Sequence, residues 1–360
     1  MALSVRFVSL LFTLAAGTVA YGQTPAQTAE TKGREAIRLM DEGKLDESIA
    51  LLQEARRLDP TRSAYRYEMS YAYYQQKKYP QAIELAEPLV KLPDASDRTF
   101  ELLGNLYDNS GNSAKAIETY EAGLRKFPRS GRLQLELGIV YMGQKNYDKA
   151  IGYFEDGIQV APSFSSNYYW AARLLCNSTE KVWGVLYGEV FMNLERNSPR
   201  TAEISKLLYD TYKSQITFKG HDTTAVSFSS NTILVPAKGQ KLKLPYGSMV
   251  FEPVLMLALG KERTIDAFSL DRIRTSFVQH YYTLPFSKDK PNLLFEYQQR
   301  LLKAGHLEAY NHWILLAGNE EEFTQWEKAN PGKWQSFATW FQANPLVLDA
   351  THRLYRQQFD

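Results

Sequence analysis

The side chains best suited to reaction chemistry are sparse in this sequence. His306, Glu308 and His312 stand close together in KAGHLEAYNHWILL, and imidazole and carboxylate are transition-metal ligands. A helix presents two ligands on one face at a spacing of four; the spacing of six between His306 and His312 sends them to opposite sides, so they read as surface or capping histidines. His221-Asp222 has the makings of half a general acid–base dyad, but it follows Lys-Gly in a turn, where such residues serve local hydrogen bonds, and no third group completes it. Cys176 is the sole cysteine, which excludes an intramolecular disulfide; beside Leu174 and Leu175 it reads as a small buried apolar side chain. Asn177-Ser178-Thr179 after it has the pattern of an N-glycosylation acceptor. Trp313, Trp326, Trp334, Phe337, Trp340 and Phe341 could stack on sugars, but Trp334, Phe337 and Phe341 share a helical face, the spacing of core packing. No nucleotide-binding loop, nucleophile elbow or metalloprotease helix occurs, so the sequence predicts no catalytic residue, no metal and no cofactor.

Composition narrows the partners. The 42 Lys and Arg are interspersed with 40 Asp and Glu for a formal net charge of +2, so there is no basic stripe for a phosphate backbone and nucleic acid is not expected. The start MALSVRFVSLLFTLAAGTVAYGQ has one cation at Arg6, an apolar run from Phe7 to Ala16 and small residues before Gln23, the three parts of a secretory signal peptide cleaved after Gly22. Thr18 stands where a lipoprotein box would need its cysteine, so no lipid anchor is expected. The only comparable apolar run, MVFEPVLMLALG at 249–260, is too short to span a bilayer and contains Glu252, so it predicts a buried helix and a mature chain with no transmembrane segment. The expected location is periplasmic or extracellular, in a bacterium.

The elements that must position any site come from a repeat. Ile49, Ile83, Ile117 and Ile151 are each 34 residues apart; Ser48, Ala82, Ala116 and Ala150 precede them; Leu39, Tyr73, Tyr107 and Tyr141 keep the same step, as do Ala36, Ser70, Gly104 and Gly138. Pro60, Pro128 and Pro162 close three units, with Pro93 one residue early. Small residues at two positions allow two helices to approach while Tyr and Ile fill the space between them, Gly43 and Gly111 supply turns, and each proline stops a second helix. The pattern Leu103-Gly104-x-x-Tyr107, Ala116-x-x-x-Tyr120, Pro128, and its fourth-unit counterpart Leu137-Gly138-x-x-Tyr141, Ala150-x-x-x-Phe154, Pro162, resembles the tetratricopeptide repeat. The resemblance covers about residues 29–196 and implies a right-handed, mainly α solenoid of four clear repeats over 29–198, with a fifth, degenerate one in which Gly184 replaces the usual Ala-Ile pair.

In resembling proteins the first helix of each unit lines a concave groove that holds a peptide. Carried onto this chain, the groove positions are Tyr67, Tyr71 and Tyr74 in the second unit, Arg98, Glu101, Asn105 and Asp108 in the third, Arg132 in the fourth, and Tyr169 and Arg173 in the fifth. The three tyrosines form one helical stripe by spacing alone, and would serve equally as partly exposed residues packed on the C-terminal part. The family's carboxylate clamp is not matched, because Gly33, Ile37 and Glu68 occupy its positions; a mixed aromatic and polar peptide or protein is the expected ligand.

The repeat resemblance does not extend to residues 201–360, and the C-terminal domain expected over 199–360 is read from its local signals alone. Ser198-Pro199 predicts a helix start, QITFKGHDTTAVSFSSNTILVPAKGQKLKLPYG predicts two or three short antiparallel strands within about 214–246, and helical signals return after Gly247: a cap at Ser269-Leu-Asp271, Asn319 before three Glu, and a hairpin around Gly305. The fold expectation is therefore an α-solenoid followed by a mostly helical C-terminal domain with a small β element. The functional expectation is a non-enzymatic, exported, peptide-binding repeat protein; the alternative gives the C-terminal domain a glycan, a small ligand or an unrecognised hydrolase site, with the repeats as a handle.

Overall fold

The computed structural model describes residues 24–219, 223–230 and 245–359. The signal-peptide stretch, the His221-Asp222 turn and any strand between 231 and 244 lie outside them. The chain divides into two compact units, one up to Leu89 and one from Val90 onward.

The first unit contains two antiparallel helix pairs, α1 (Pro25–Asp41) with α2 (Leu45–Leu58) and α3 (Ala64–Gln75) with α4 (Tyr79–Ala86). Thr24 starts α1 with a reciprocal cap: its hydroxyl accepts from Gln27 N–H, and the Gln27 side chain accepts from Thr24 N–H. Ala29, Ala36, Met40, Ile49, Leu52, Ala55, Tyr65, Met69 and Ala72 make a small core drawn from neighbouring helices. Ser70, at the small position of α3, donates its hydroxyl hydrogen to Ala82 O at 2.8 Å, so this buried polar atom is satisfied.

In the second unit the pairs continue as α5 (Asp97–Asn109) with α6 (Ser113–Lys126), α7 (Gly131–Gly143) with α8 (Tyr147–Val160), and α9 (Ser165–Cys176) with α10 (Lys181–Leu194). The small-against-large reading of the repeat is borne out at atomic distance. A Cβ on Gly104 would lie 2.1 Å from the Tyr120 ring, and one on Gly138 would lie 2.3 Å from Phe154, so each glycine is the slot for the aromatic of its own pair. Gly43, Lys77, Gly111 and Lys145, again 34 apart, all adopt positive φ at the turn of their pair, two of them without glycine's freedom. The degenerate fifth unit is a full helix pair: a Cβ on Gly184 would meet the Cys176 backbone nitrogen at 2.4 Å, so this glycine is what lets α10 close on α9.

After the pairs come α11 (Pro199–Gln215), the antiparallel strands β1 (Ile216–Lys219) and β2 (Thr223–Val226), a π-turn at Gly247–Phe251, and then α12 (Glu252–Leu259), α13 (Ala267–Thr283), α14 (Phe286–Asp289), α15 (Leu293–Lys303), α16 (Leu307–Leu315), α17 (Glu320–Ala329) and α18 (Pro331–Ala343). The caps at Ser198 and Asn319 are as expected, and Gly305 turns between α15 and α16 at φ 75°. The cap of α13 is Asp266, which accepts from Ser269 N–H; Ser269 supplies the return half of the box, so the sequence signal was one turn late. No packing boundary falls at residue 198. One core runs from Leu135 through α8, α9 and α10 to Phe359, so the last two repeat pairs are built into the C-terminal helices. Phe359 closes on Trp183 and Tyr246, with ring centroids 5.4 and 4.6 Å away, and Arg356 reaches Glu155 on α8 at 2.7 Å.

Candidate functional site

The expected groove residues fall in both units. In the first, Tyr67 and Tyr74 are half-buried on α3 and Tyr71 is 39% exposed; the rings of Tyr71, Tyr74 and Tyr79 follow one another at 6.2 Å, an aromatic strip with its edge in solvent.

In the second unit α5, α7, α9 and α11 lie side by side in that order. Arg132 on α7 reaches back to α5, 2.8 Å from Glu101 and 3.6 Å from Asp97. Asn105 accepts the Tyr120 hydroxyl hydrogen at 2.5 Å and Asp108 that of Ser113 at 2.6 Å, while Arg98 is exposed. Glu136, not anticipated, joins this group. Burial, then the charges of Glu101 and Asp108, push its carboxyl up to about 7 against the opposing pull of Arg132. Tyr169 departs from expectation: it is 5% exposed, packed on Trp170 and Phe191, and its hydroxyl donates to Glu203 at 2.5 Å. Its role is therefore to hold Glu203, which also pairs with Arg173 at 2.9 Å.

Arg173 opens onto a cleft of about 690 Å³ between the end of α7, the start of α8, and the exposed faces of α9 and α11. Met142, Tyr147, Ile151, Trp170, Leu174 and Leu207 give it an apolar floor, and Asp148, Asn177, Glu203, Lys206 and Asp210 a polar rim. Arg173 sits 4.6 Å above the Trp170 ring, and Lys206 pairs with Asp210 at 2.9 Å. Trp170 was missed because the family's groove positions skip the sixth residue of each unit. In this chain that position reads Arg34, Glu68, Leu102, Glu136 and Trp170, a variable series unlike the regular packing positions around it.

The other chemical candidates are accounted for by packing. Cys176 is buried and its thiol is pushed up to about 12 by desolvation. His312 is 2% exposed, stacked 4.4 Å from Trp326, and burial lowers it to about 4, while Glu308 is occupied by Trp326 N–H and Lys333. Among the described residues no group of three His, Cys, Asp or Glu could hold a metal ion. Trp313, Trp326, Phe337 and Phe341 are core, with Trp334 and Trp340 packed against it. The most concentrated polar cluster is buried: Glu189 Oε1 accepts from Arg274 at 2.8 Å, Tyr310 at 2.9 Å and Gln298 at 2.5 Å, and Arg274 also donates to Asn311 at 2.8 Å. The hollow beside it is about 20 Å³, room for about one water and no substrate.

Paired helices, turns at one register and aromatic-filled glycine slots define a helical repeat whose first helices share a face. Residues 39–99 and 102–163 match models of the tetratricopeptide repeat family, so this stretch of the chain is built of tetratricopeptide repeats. The chain is similar to tetratricopeptide repeat protein 21B of Mus musculus, 38% identical over 64 residues, which is 18% of this chain and 5% of that protein. The human protein of the same name is 28% identical over 141 residues, 37% of this chain and 10% of its own length. The chain thus matches only a small part of these relatives. Among solved structures it is similar to pilF of Pseudomonas aeruginosa, at 16% identity and TM-score 0.46 over 53% of this chain and 86% of that one. It is likewise similar to a thermophilic tetratricopeptide repeat protein of Thermus thermophilus, at 16% identity and TM-score 0.42 over 50% and 98%. Nothing about function follows from these two likenesses. Among the described residues no helix is long and apolar enough to cross a membrane.

Proposed function

We propose that this chain is an exported, non-enzymatic scaffold that binds an extended peptide or a protein loop in the cleft between α9 and α11. The observation that carries this reading is the composition of that cleft. An apolar floor with Trp170 at its centre and Tyr147 50% exposed at its edge offers buried anchoring area; Arg173 and Lys206 on the rim are paired with Glu203 and Asp210, and Asp148 is exposed to solvent, so an apolar segment reaches the floor without breaking an ion pair. Asn177 on the rim is an amide suited to a peptide backbone, and the volume takes two or three side chains. Because Glu203 and Asp210 are engaged by Arg173 and Lys206, these acids are held as charge partners, a role that suits binding rather than proton transfer. Export rests on the pattern of residues 1–22 alone.

A peptide library selected on the full chain tests the proposal. Selected peptides should lose at least tenfold in affinity on Trp170→Ala or Leu207→Glu and be unaffected by Glu118→Ala on α6. Binders indifferent to both cleft substitutions, or sensitive only to Tyr67→Ala and Tyr71→Ala in the first unit, would move the site away from the cleft.

A further inference from the structure

A second cleft, of about 660 Å³, lies within the second unit between the α10–α11 connection and the helices α16 to α18. Its walls include Trp313, Phe323, Trp334 and Phe341; Phe323 and Trp334 are half-buried and meet edge to face at 5.4 Å. Arg196 lines it, with its guanidinium carbon 3.8 Å from the Phe341 ring centroid.

The setting of Arg196 is unusual for a half-buried cation. Its Nε donates to Asn193 O at 3.2 Å and its Nη1 to Phe341 O at 3.0 Å, which fixes the fork in place. Carbonyl dipoles and an aromatic face orient a guanidinium but leave its charge uncancelled, and among the described residues no carboxylate pairs with it. Neighbouring arginines are treated differently: Arg200 pairs with Glu195, and Arg274 with Glu189 at 2.8 Å. Burial accordingly lowers the pKa of Arg196, opposed by the phenols of Tyr297 and Tyr310 but by no carboxylate. On the rim, the amides of Asn197 and Gln342 are exposed and make no hydrogen bond to other described residues.

An oriented guanidinium without a counter-ion, aromatic walls and two unengaged amides are complementary to one ligand chemistry. A carboxylate meets the guanidinium, ring hydroxyls meet the amides, and the C–H face of a sugar ring meets Trp334 and Phe323. We propose that this cleft binds a small acidic saccharide, of mono- or disaccharide size, with Arg196 holding its carboxylate. The site is independent of the peptide cleft between α9 and α11.

Calorimetric titration of the full chain with digalacturonate and with the neutral disaccharide digalactose tests this. The acid should bind at least tenfold more tightly than the neutral sugar. Arg196→Gln should bring the two to equal affinity, and Trp334→Ala should weaken both by a similar factor. If Arg196→Gln fails to fold, Gln342→Glu, which puts a carboxylate on the rim near the guanidinium, should abolish the preference for the acid in its place. Equal binding of acid and neutral sugar to the unmodified chain, or an acid preference that survives the substitutions, would overturn the proposal. So would tenfold tighter binding of indole-3-acetate than of digalacturonate, which would make the site one for aromatic acids.

Discussion

The core of the first unit and that of the second are built on opposite plans. In the first, contacts join each helix to elements close by in sequence: residues from Ala29 to Ala72 fill the core, and Ser70 Oγ on the packing stripe bonds twelve residues away. In the second, Glu189 draws Arg274, Gln298 and Tyr310 from 85, 109 and 121 residues away into one buried cluster. The difference teaches where specificity of fold resides. Local small-against-large packing settles each helix pair by itself, whereas the C-terminal helices are located by polar partners that are satisfied in only one arrangement.

Breaking the distant cluster should have the largest effect. Arg274→Met leaves Glu189 buried without its cation and should cost about 3–5 kcal/mol in denaturant unfolding, whereas the double change with Glu189→Gln should recover much of it. By contrast, Lys206→Ala, which removes the exposed pair with Asp210, should stay within about 1 kcal/mol. If the two losses were alike, the buried cluster would be no more organising than a surface pair.

Glu136 sharpens the comparison from the repeat side. Its folded carboxyl titrates near 7, above the ordinary 4.5, so between those values the folded chain holds a proton that the unfolded chain has released. Stability from this group therefore falls as pH rises from about 4.5 through 7, by on the order of 3 kcal/mol. Glu136→Gln should flatten that part of the melting-temperature profile.

Two glycines test local packing more finely. Gly138→Ala drives a methyl into Phe154 and should destabilise by about 1–2 kcal/mol, overpacking outweighing the better helix former. Gly152→Ala, in α8 with nothing within 4 Å of the added carbon, should stabilise by up to about 1 kcal/mol. Melting curves that moved the same way for both would refute the slot.

These contrasts also explain what could be read from the residues in order. The pairs from α1 to α10 were legible because period, small residues and turns recur within one unit's length, and the short strands β1 and β2 followed from alternation. Tyr169 was misplaced because the family's groove positions do not register that its ring packs inward on Phe191. Trp170 and Glu136 were missed for the complementary reason, lying at a position those rules skip. Arg196 and Arg274 carry no local signal at all, since the partners that give them meaning, Phe341 and Glu189, are 145 and 85 residues off. The strip of Tyr71 and Tyr74 in the first unit keeps the spacing that first drew notice to it.

The return of Phe359 and Arg356 onto Trp183, Tyr246 and Glu155 sets an order of assembly. During synthesis the pairs up to α6 can pack as they emerge, but Glu155, 1% exposed on α8, waits for a guanidinium encoded 201 residues later. Until then the second half of the molecule is an unfinished surface with a buried acid and open aromatics, the kind of intermediate that holding chaperones retain and proteases cut. A chain shortened just before Arg356 should consequently remain in that state, its early helix pairs formed and its last two repeats unclosed.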